Sequence, residues 1–227
     1  MKLICPAGTP VALRDAVEAG ADAVQCGFAD ETNANHFLAL HFTRQELAEG
    51  IAYARSRGVQ VIVAIDSFMR AGAEALWTDA VDTAVALGAD AIVVSDIGLL
   101  AYAADKHPGQ RRHLAVQAAS ATAAHIGFLV EAFGISRAVL PRGLLVEEAL
   151  EVATEAPCEI EVTTGGGSMR KPAEAQPGPS LDMLAHLVEL ANAGVAALKV
   201  EDAPRGAAYI RTLAAELRSA DQQVEAA

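Results

Sequence analysis

Aromatic side chains are scarce in this chain. Phe, Trp and Tyr make up 4% of its 227 residues although 52% are hydrophobic, so the core has to be built from Val, Ile, Leu and Ala. Cysteine is scarcer still. The three cysteines form no CxxC pair, and an odd count without a cluster points to a reducing cytoplasm rather than a disulfide framework. No HxxxH spacing occurs, so spacing supports neither a metal nor an iron–sulfur site. Basic residues are outnumbered, with 17 Lys+Arg against 29 Asp+Glu and a formal charge of −12. That balance leaves no phosphate-neutralising face and argues against nucleic-acid binding. No apolar run reaches the roughly 18 residues of a membrane span, and Met1–Pro6 is too short for a signal peptide. A nucleophile elbow is also missing, which argues against acyl-transfer hydrolysis. The expectation is an acidic, soluble, cytoplasmic globular protein.

What the chain does have is a repeated joint. Gly20-Ala21-Asp22 leads into the apolar run Ala23-Val24-Gln25-Cys26-Gly27, and Gly88-Ala89-Asp90 leads into Ala91–Ser95, with Asp96 where the run stops. A looser copy begins at Gly194 and ends at Glu201. Glycine enters the left-handed conformation that ends a helix without a Cβ penalty. A short unbroken apolar run suits a strand covered on both faces. Repetition of the joint predicts a β/α repeat.

In order, strands are expected at 2–6, 23–28, 60–66, 90–95, 113–117, 137–141, 158–164 and 196–201. Helices are expected at about 9–19, 43–57, 73–87, 97–106, 122–133, 144–156, 180–193 and 205–220. Thr43 and Glu46 have the spacing of a capping box, and Ser180 can cap the seventh helix. Leu76, Ala80, Val81, Ala84 and Val85 share one helical face. Eight similar units favour a single α/β domain over 1–227, a (β/α)8 TIM-type barrel. A doubly wound sheet would want a glycine-rich turn after the first strand, and Pro6-Ala7-Gly8-Thr9-Pro10 is not one.

The Gly/Pro-rich stretch 165–179 has no apolar periodicity and is expected to be a loop. In a barrel the chemistry collects at the carboxyl ends of the strands. Those ends offer Asp66, Asp96, Gln117, Arg142, Glu161, Lys199 and Glu201. Asp66, Asp96, Glu161 and Glu201 around Arg142 and Lys199 could form a pocket for a small anionic ligand, or an ion-pair layer that plugs the barrel. Strand alternation puts Lys199 and Glu201 on one face. Cys5 and Cys26 are read as buried hydrophobes, Cys158 as inert at the opposite rim, and Trp77 and Met69 as packing residues. His36 and His41 lie in a candidate active-site loop, where a histidine is ordinarily solvated.

Several stretches carry a family resemblance. Leu3-Ile4-Cys5-Pro6-Ala7-Gly8, Gly20–Val24, Thr32-Asn33-Ala34-Asn35-His36-Phe37, Phe42-Thr43, Val116-Gln117-Ala118 and Ala138-Val139-Leu140-Pro141-Arg142 resemble the collagenase-like peptidase family of YhbU type, and within it the UbiU branch. Residues 181–209, with Val200-Glu201, Arg205 and Tyr209, continue the match. The resemblance implies a barrel that serves oxygen-independent ubiquinone hydroxylation beside a UbiV-like partner, with a [4Fe-4S] cluster and prephenate as oxygen donor. It further implies roles for Asn33, Gln117, Arg142, Lys199 and Glu201. The cluster cysteines of the family fall in an insertion that residues 165–179 replace, and that stretch has no cysteine. No cofactor is therefore expected. Glu201 or Asp66 would carry a proton, and Asn33, Gln117, Arg142, Lys199 and Asp96 would bind the ligand. The alternative is a non-catalytic scaffold or partner-binding barrel, a minimised and engineered one in view of Gly-Gly-Gly-Ser at 165–168.

Overall fold

The computed structural model describes residues 1–34, 42–164, 183–200 and 206–226. Strands and helices alternate throughout: β1 (Lys2–Pro6), α1 (Pro10–Glu18), β2 (Ala23–Gly27), α2 (Arg44–Arg55), β3 (Gln60–Ile65), α3 (Glu74–Ala86), β4 (Ala91–Val94) and α4 (Ile97–Lys106). The second half follows with β5 (Arg112–Ala115), α5 (Ala123–Phe133), β6 (Arg137–Val139), α6 (Val146–Glu155), β7 (Glu159–Thr164), α7 (Leu187–Asn192), β8 (Val195–Val200) and α8 (Gly206–Glu225). All neighbours pair in parallel and β8 returns to β1, so the sheet closes. This is the (β/α)8 barrel read from the sequence.

The repeated joint explains how each turn is made. Gly20, Gly88 and Gly194 have φ of +98°, +83° and +86°, the left-handed region in which a side chain would be strained. After Gly20 and Gly88 an aspartate stands two residues on and clasps the preceding strand. Asp22 donates its N–H to the Leu3 carbonyl at 3.0 Å, and its carboxylate accepts the Leu3 N–H at 2.8 Å. Asp90 makes the same pair with Val61, at 2.9 and 2.8 Å. Each clasp satisfies a strand N–H at the amino end of the barrel and sets the register of the next strand.

Local signals hold elsewhere too. Thr43 and Glu46 form the expected reciprocal cap on α2. On α3 the buried face is Trp77, Ala80, Val81 and Ala84, while Leu76 and Val85 are only partly covered. The single helix expected at 180–193 is instead a 3-10 turn over Met183–His186 followed by the short α7; Ser180 and the loop at 165–179 lie outside the described residues. Helix α8 runs to Glu225, past the last residue buried on its inner face, Ala220. Apolar periodicity marks only the part of a helix that packs, so its polar last turn was not legible.

Two hydrophobic layers result. The larger lies between barrel and helices and includes Leu3, Val24, Val61, Ile92, Leu114 and Leu198. A smaller one fills the barrel with Ile4, Ala23, Ile62, Ala64, Ala91, Val93, Val139 and Ala197. Half of these eight are alanine, which leaves room inside the barrel for long polar side chains. In β8 the register slips, since Ile160 faces Val195 but Glu161 faces Ala197. The extra residue, Ala196, is a bulge that turns Ala197 and Lys199 into the barrel. Among the described residues no helix is long and apolar enough to cross a membrane. Replacing Asp90 by Ala orphans the buried Val61 N–H, so Asp90→Ala should lower unfolding stability by about 1–3 kcal/mol in urea titrations.

Candidate functional site

Alternation along the strands sends Arg137, Glu159, Glu161 and Lys199 into the barrel, where they form a continuous chain of charges. At the amino-end rim Arg111 donates to Glu159 at 3.1 Å. Arg137 grips the same Glu159 oxygen from Nε and Nη2, at 2.9 and 2.8 Å, and reaches Glu161 from Nη1 at 3.1 Å. Lys199 Nζ then stands 3.8 Å from the other Glu161 oxygen. That distance is an ion pair but too long for a hydrogen bond, and this oxygen of Glu161 has no hydrogen-bond partner among the described residues. Arg137 and Glu161 have side chains only 3% and 1% exposed. Charges this deep are tolerable only as partners, since removing one member of a buried pair costs about 3–5 kcal/mol.

Beside this chain lies His113, 2% exposed, with neither ring nitrogen bonded to any described residue. Burial, reinforced by Arg137, Arg111 and Lys2, pushes its pKa down from 6.5 to about 3. It is therefore a neutral imidazole at pH 7.

At the carboxyl ends of the strands the expected residues separate into pairs and singletons. Asn33 is buried and lies across the end of β2, so close that a Cβ on Gly27 would fall 2.1 Å from its amide nitrogen. Next to it, Asp66 follows β3 and accepts the Ala34 N–H at 2.8 Å. Asp66 thus ties the β2–α2 loop, one residue past Asn33, to β3. One strand further, Asp96 caps α4 by accepting the Leu99 N–H at 3.0 Å and also accepts the Met69 N–H at 3.3 Å. Its role is to tie loop to loop. Lys199 joins Glu161, two members of the polar set expected at these strand ends. Gln117 begins a 3-10 turn after β5 and is exposed, as is Arg142 on the turn after β6. Glu201, His36 and His41 lie outside the described residues.

Sequence reading missed Arg111, His113, Arg137 and Glu159. A signal existed. Glu159 and Glu161 are two residues apart in a strand, and Arg111, just before β5, has the same spacing from His113, which places each pair on one face.

The cysteines do not suit a cluster. Cys5 and Cys26 point into the helix layer, and burial pushes both thiols up to about 12, which opposes the thiolate a metal needs. Cys158 precedes β7 at the other end of the barrel, half-buried and also raised by burial. Trp77 packs as expected, its indole N–H bonded to Ser67 at 2.9 Å.

Comparison with known proteins decides the family. The model of peptidase family U32 matches residues 8–169. The chain belongs to that family. This bears out the resemblance read from motifs such as Leu3–Gly8 and Ala138–Arg142. The chain is 30% identical to tRNA hydroxylation protein P of Escherichia coli over 169 residues, 73% of this chain and 36% of that protein. It is 34% identical to an uncharacterized protease of Methanocaldococcus jannaschii over 118 residues, 52% of this chain and 28% of that protein. The chain thus spans about a third of the length of these curated relatives. In structure it resembles the U32 peptidase Mk0906, with TM-score 0.60 and 20% identity over 76% of this chain and 72% of that one. Tryptophan synthase of M. tuberculosis has TM-score 0.63 at 15% identity over 97% and 92% of the two chains, a likeness of fold alone.

The lowered pKa of His113 has a definite pH signature. The unfolded chain takes up the proton below about 6.5 while the folded one resists until about 3. The stability contributed by the neutral ring is therefore complete above pH 6.5 and is lost as pH falls toward 3. The slope should be at most about 1.4 kcal/mol per pH unit. Denaturation of His113→Leu across this window should show a flatter pH dependence than the parent chain.

Proposed function

We propose that this U32 barrel serves a hydroxylation reaction, as a UbiU-type factor of oxygen-independent ubiquinone hydroxylation, and that its carboxyl-end mouth takes a small anionic ligand. The observation that carries the reading is the 30% identity over 169 residues to a protein named for tRNA hydroxylation. The mouth has suitable chemistry. Arg142 is exposed after β6, and Lys199 emerges from the barrel 17% exposed, held loosely enough by Glu161 to keep protons for a ligand. Arg142 and Lys199 hold a carboxylate or enolic oxygen, Asn33 and Gln117 supply amide hydrogen bonds, and Asp66 or Glu201 carries a proton. Asp96 shapes the site by fixing the α4 terminus.

In this reading the three cysteines hold no [4Fe-4S] cluster, because two are buried with raised pKa values and the third lies at the opposite end. A UbiV-like protein is the partner proposed. tRNA as the group hydroxylated is a second reading, favoured by the relative's name and opposed by the charge of −12. A non-catalytic scaffold is the alternative, favoured by the way Lys199 and Glu161 offset one another's charge.

Calorimetry with prephenate and related dicarboxylates separates these readings. Binding by the parent chain, weakened at least about tenfold in Arg142→Ala, supports the anion mouth, since charge-assisted bonds contribute about 1.5–3 kcal/mol. No heat of binding overturns it. Anaerobic reconstitution should leave the protein without stoichiometric iron and sulfide; a visible iron–sulfur absorption band would overturn the cluster-free reading.

A further inference from the structure

The amino end of the barrel, opposite the mouth, contains a small open cavity of about 10 Å³ lined by Gln60, Ile62, Asp90, Arg111, His113 and Arg137. That volume is near the minimum for one water-sized occupant. Its lining is polar and short of partners. His113 is 2% exposed, faces the cavity, and has no hydrogen-bond partner for either ring nitrogen among the described residues. A buried imidazole without partners is costly, and both the cavity and the ring are relieved by the same occupant.

The charges here decide what that occupant is. Arg111 and Arg137 line the cavity, and Lys2 is held beside it by donating to Gln60 at 3.0 Å. Against these three cations stand Glu159, already shared by Arg111 and Arg137, and Asp90, which accepts the Val61 N–H. Glu161 is matched by Lys199 further up the barrel. With Glu161 also bonded to Arg137, four cations (Lys2, Arg111, Arg137 and Lys199) stand against three carboxylates (Glu159, Glu161 and Asp90), a balance that disfavours a cation. Neutral imidazole can donate one N–H to an anion, and the guanidinium of Arg111 is 39% exposed, so entry from solvent is open.

We propose that this cavity is a binding site for a single small inorganic anion of halide size, held by Arg111, Arg137 and the His113 N–H. The site lies outside the hydroxylation mouth and acts on the stability of the barrel's amino end. It places the anion where the strand clasps and the charge chain converge.

Thermal unfolding of the whole chain in sodium bromide or sodium chloride, against sodium gluconate at matched ionic strength, tests the site. The halides should raise the midpoint along a saturating curve. Arg111→Gln, at a half-exposed position where folding is not at risk, should abolish the saturating part, as should His113→Leu. A crystal grown in bromide should show an anomalous peak in the cavity. Equal midpoints in halide and gluconate overturn the proposal, as does a halide effect that survives both substitutions. An ordered water in the cavity with no anomalous signal overturns it as well.

Discussion

Everything inside the barrel depends on Arg137 being neutralised. Its guanidinium sits at the amino end of β6, 3% exposed, between two carboxylates supplied by the next strand. A buried charge of this kind is sustained only by geometry that keeps its partners within reach. Strand β7 supplies both because Glu159 and Glu161 are two residues apart and share a face. Glu161 in turn requires Lys199, and Lys199 faces inward because of the bulge at Ala196. The alanines of the inner layer are the complement of this arrangement, since larger side chains at Ala23, Ala64, Ala91 and Ala197 would compete with long polar ones for the same space.

The two ends of the barrel use carboxylates differently. At the amino end Asp22 and Asp90 close strand onto strand, and Glu159 gathers two arginines. At the carboxyl end Asp66 and Asp96 hold backbone N–H groups of neighbouring loops. The same residue type thus sets register below and loop position above. Rigid positioning of loops on a closed sheet is what lets one barrel framework serve many chemistries, and it fits the distant likeness to tryptophan synthase, which is one of fold alone.

The fold was largely legible. Gly20, Gly88 and Gly194 marked helix ends because their backbone conformation favours glycine, and the apolar runs after them marked buried strands for want of polar alternation. The capping pair Thr43 and Glu46 was legible for the same local reason. The site was legible only in part. Asp66 holds the loop beside Asn33 through the Ala34 N–H, while Asp96 proved to be a helix cap, which its position just before Ile97 allowed without requiring. Arg137 was passed over because a lone arginine opening a short strand reads as a solvated rim residue. Its burial follows from partners 22 and 24 residues away, and no local pattern encodes them.

By itself, then, the sequence determined the order of elements, the closed barrel, the aliphatic core and the family, because each rests on local conformational preference or on motifs contiguous in the chain. Tertiary structure alone decided which charges face which. The slip at Ala196 that aims Lys199, the convergence of Arg111 and Arg137 on one carboxylate, and the unpartnered ring of His113 arise when strands distant in sequence are brought side by side. Their energies are set by burial and by distances of a few ångströms, and neither quantity exists until the sheet has closed.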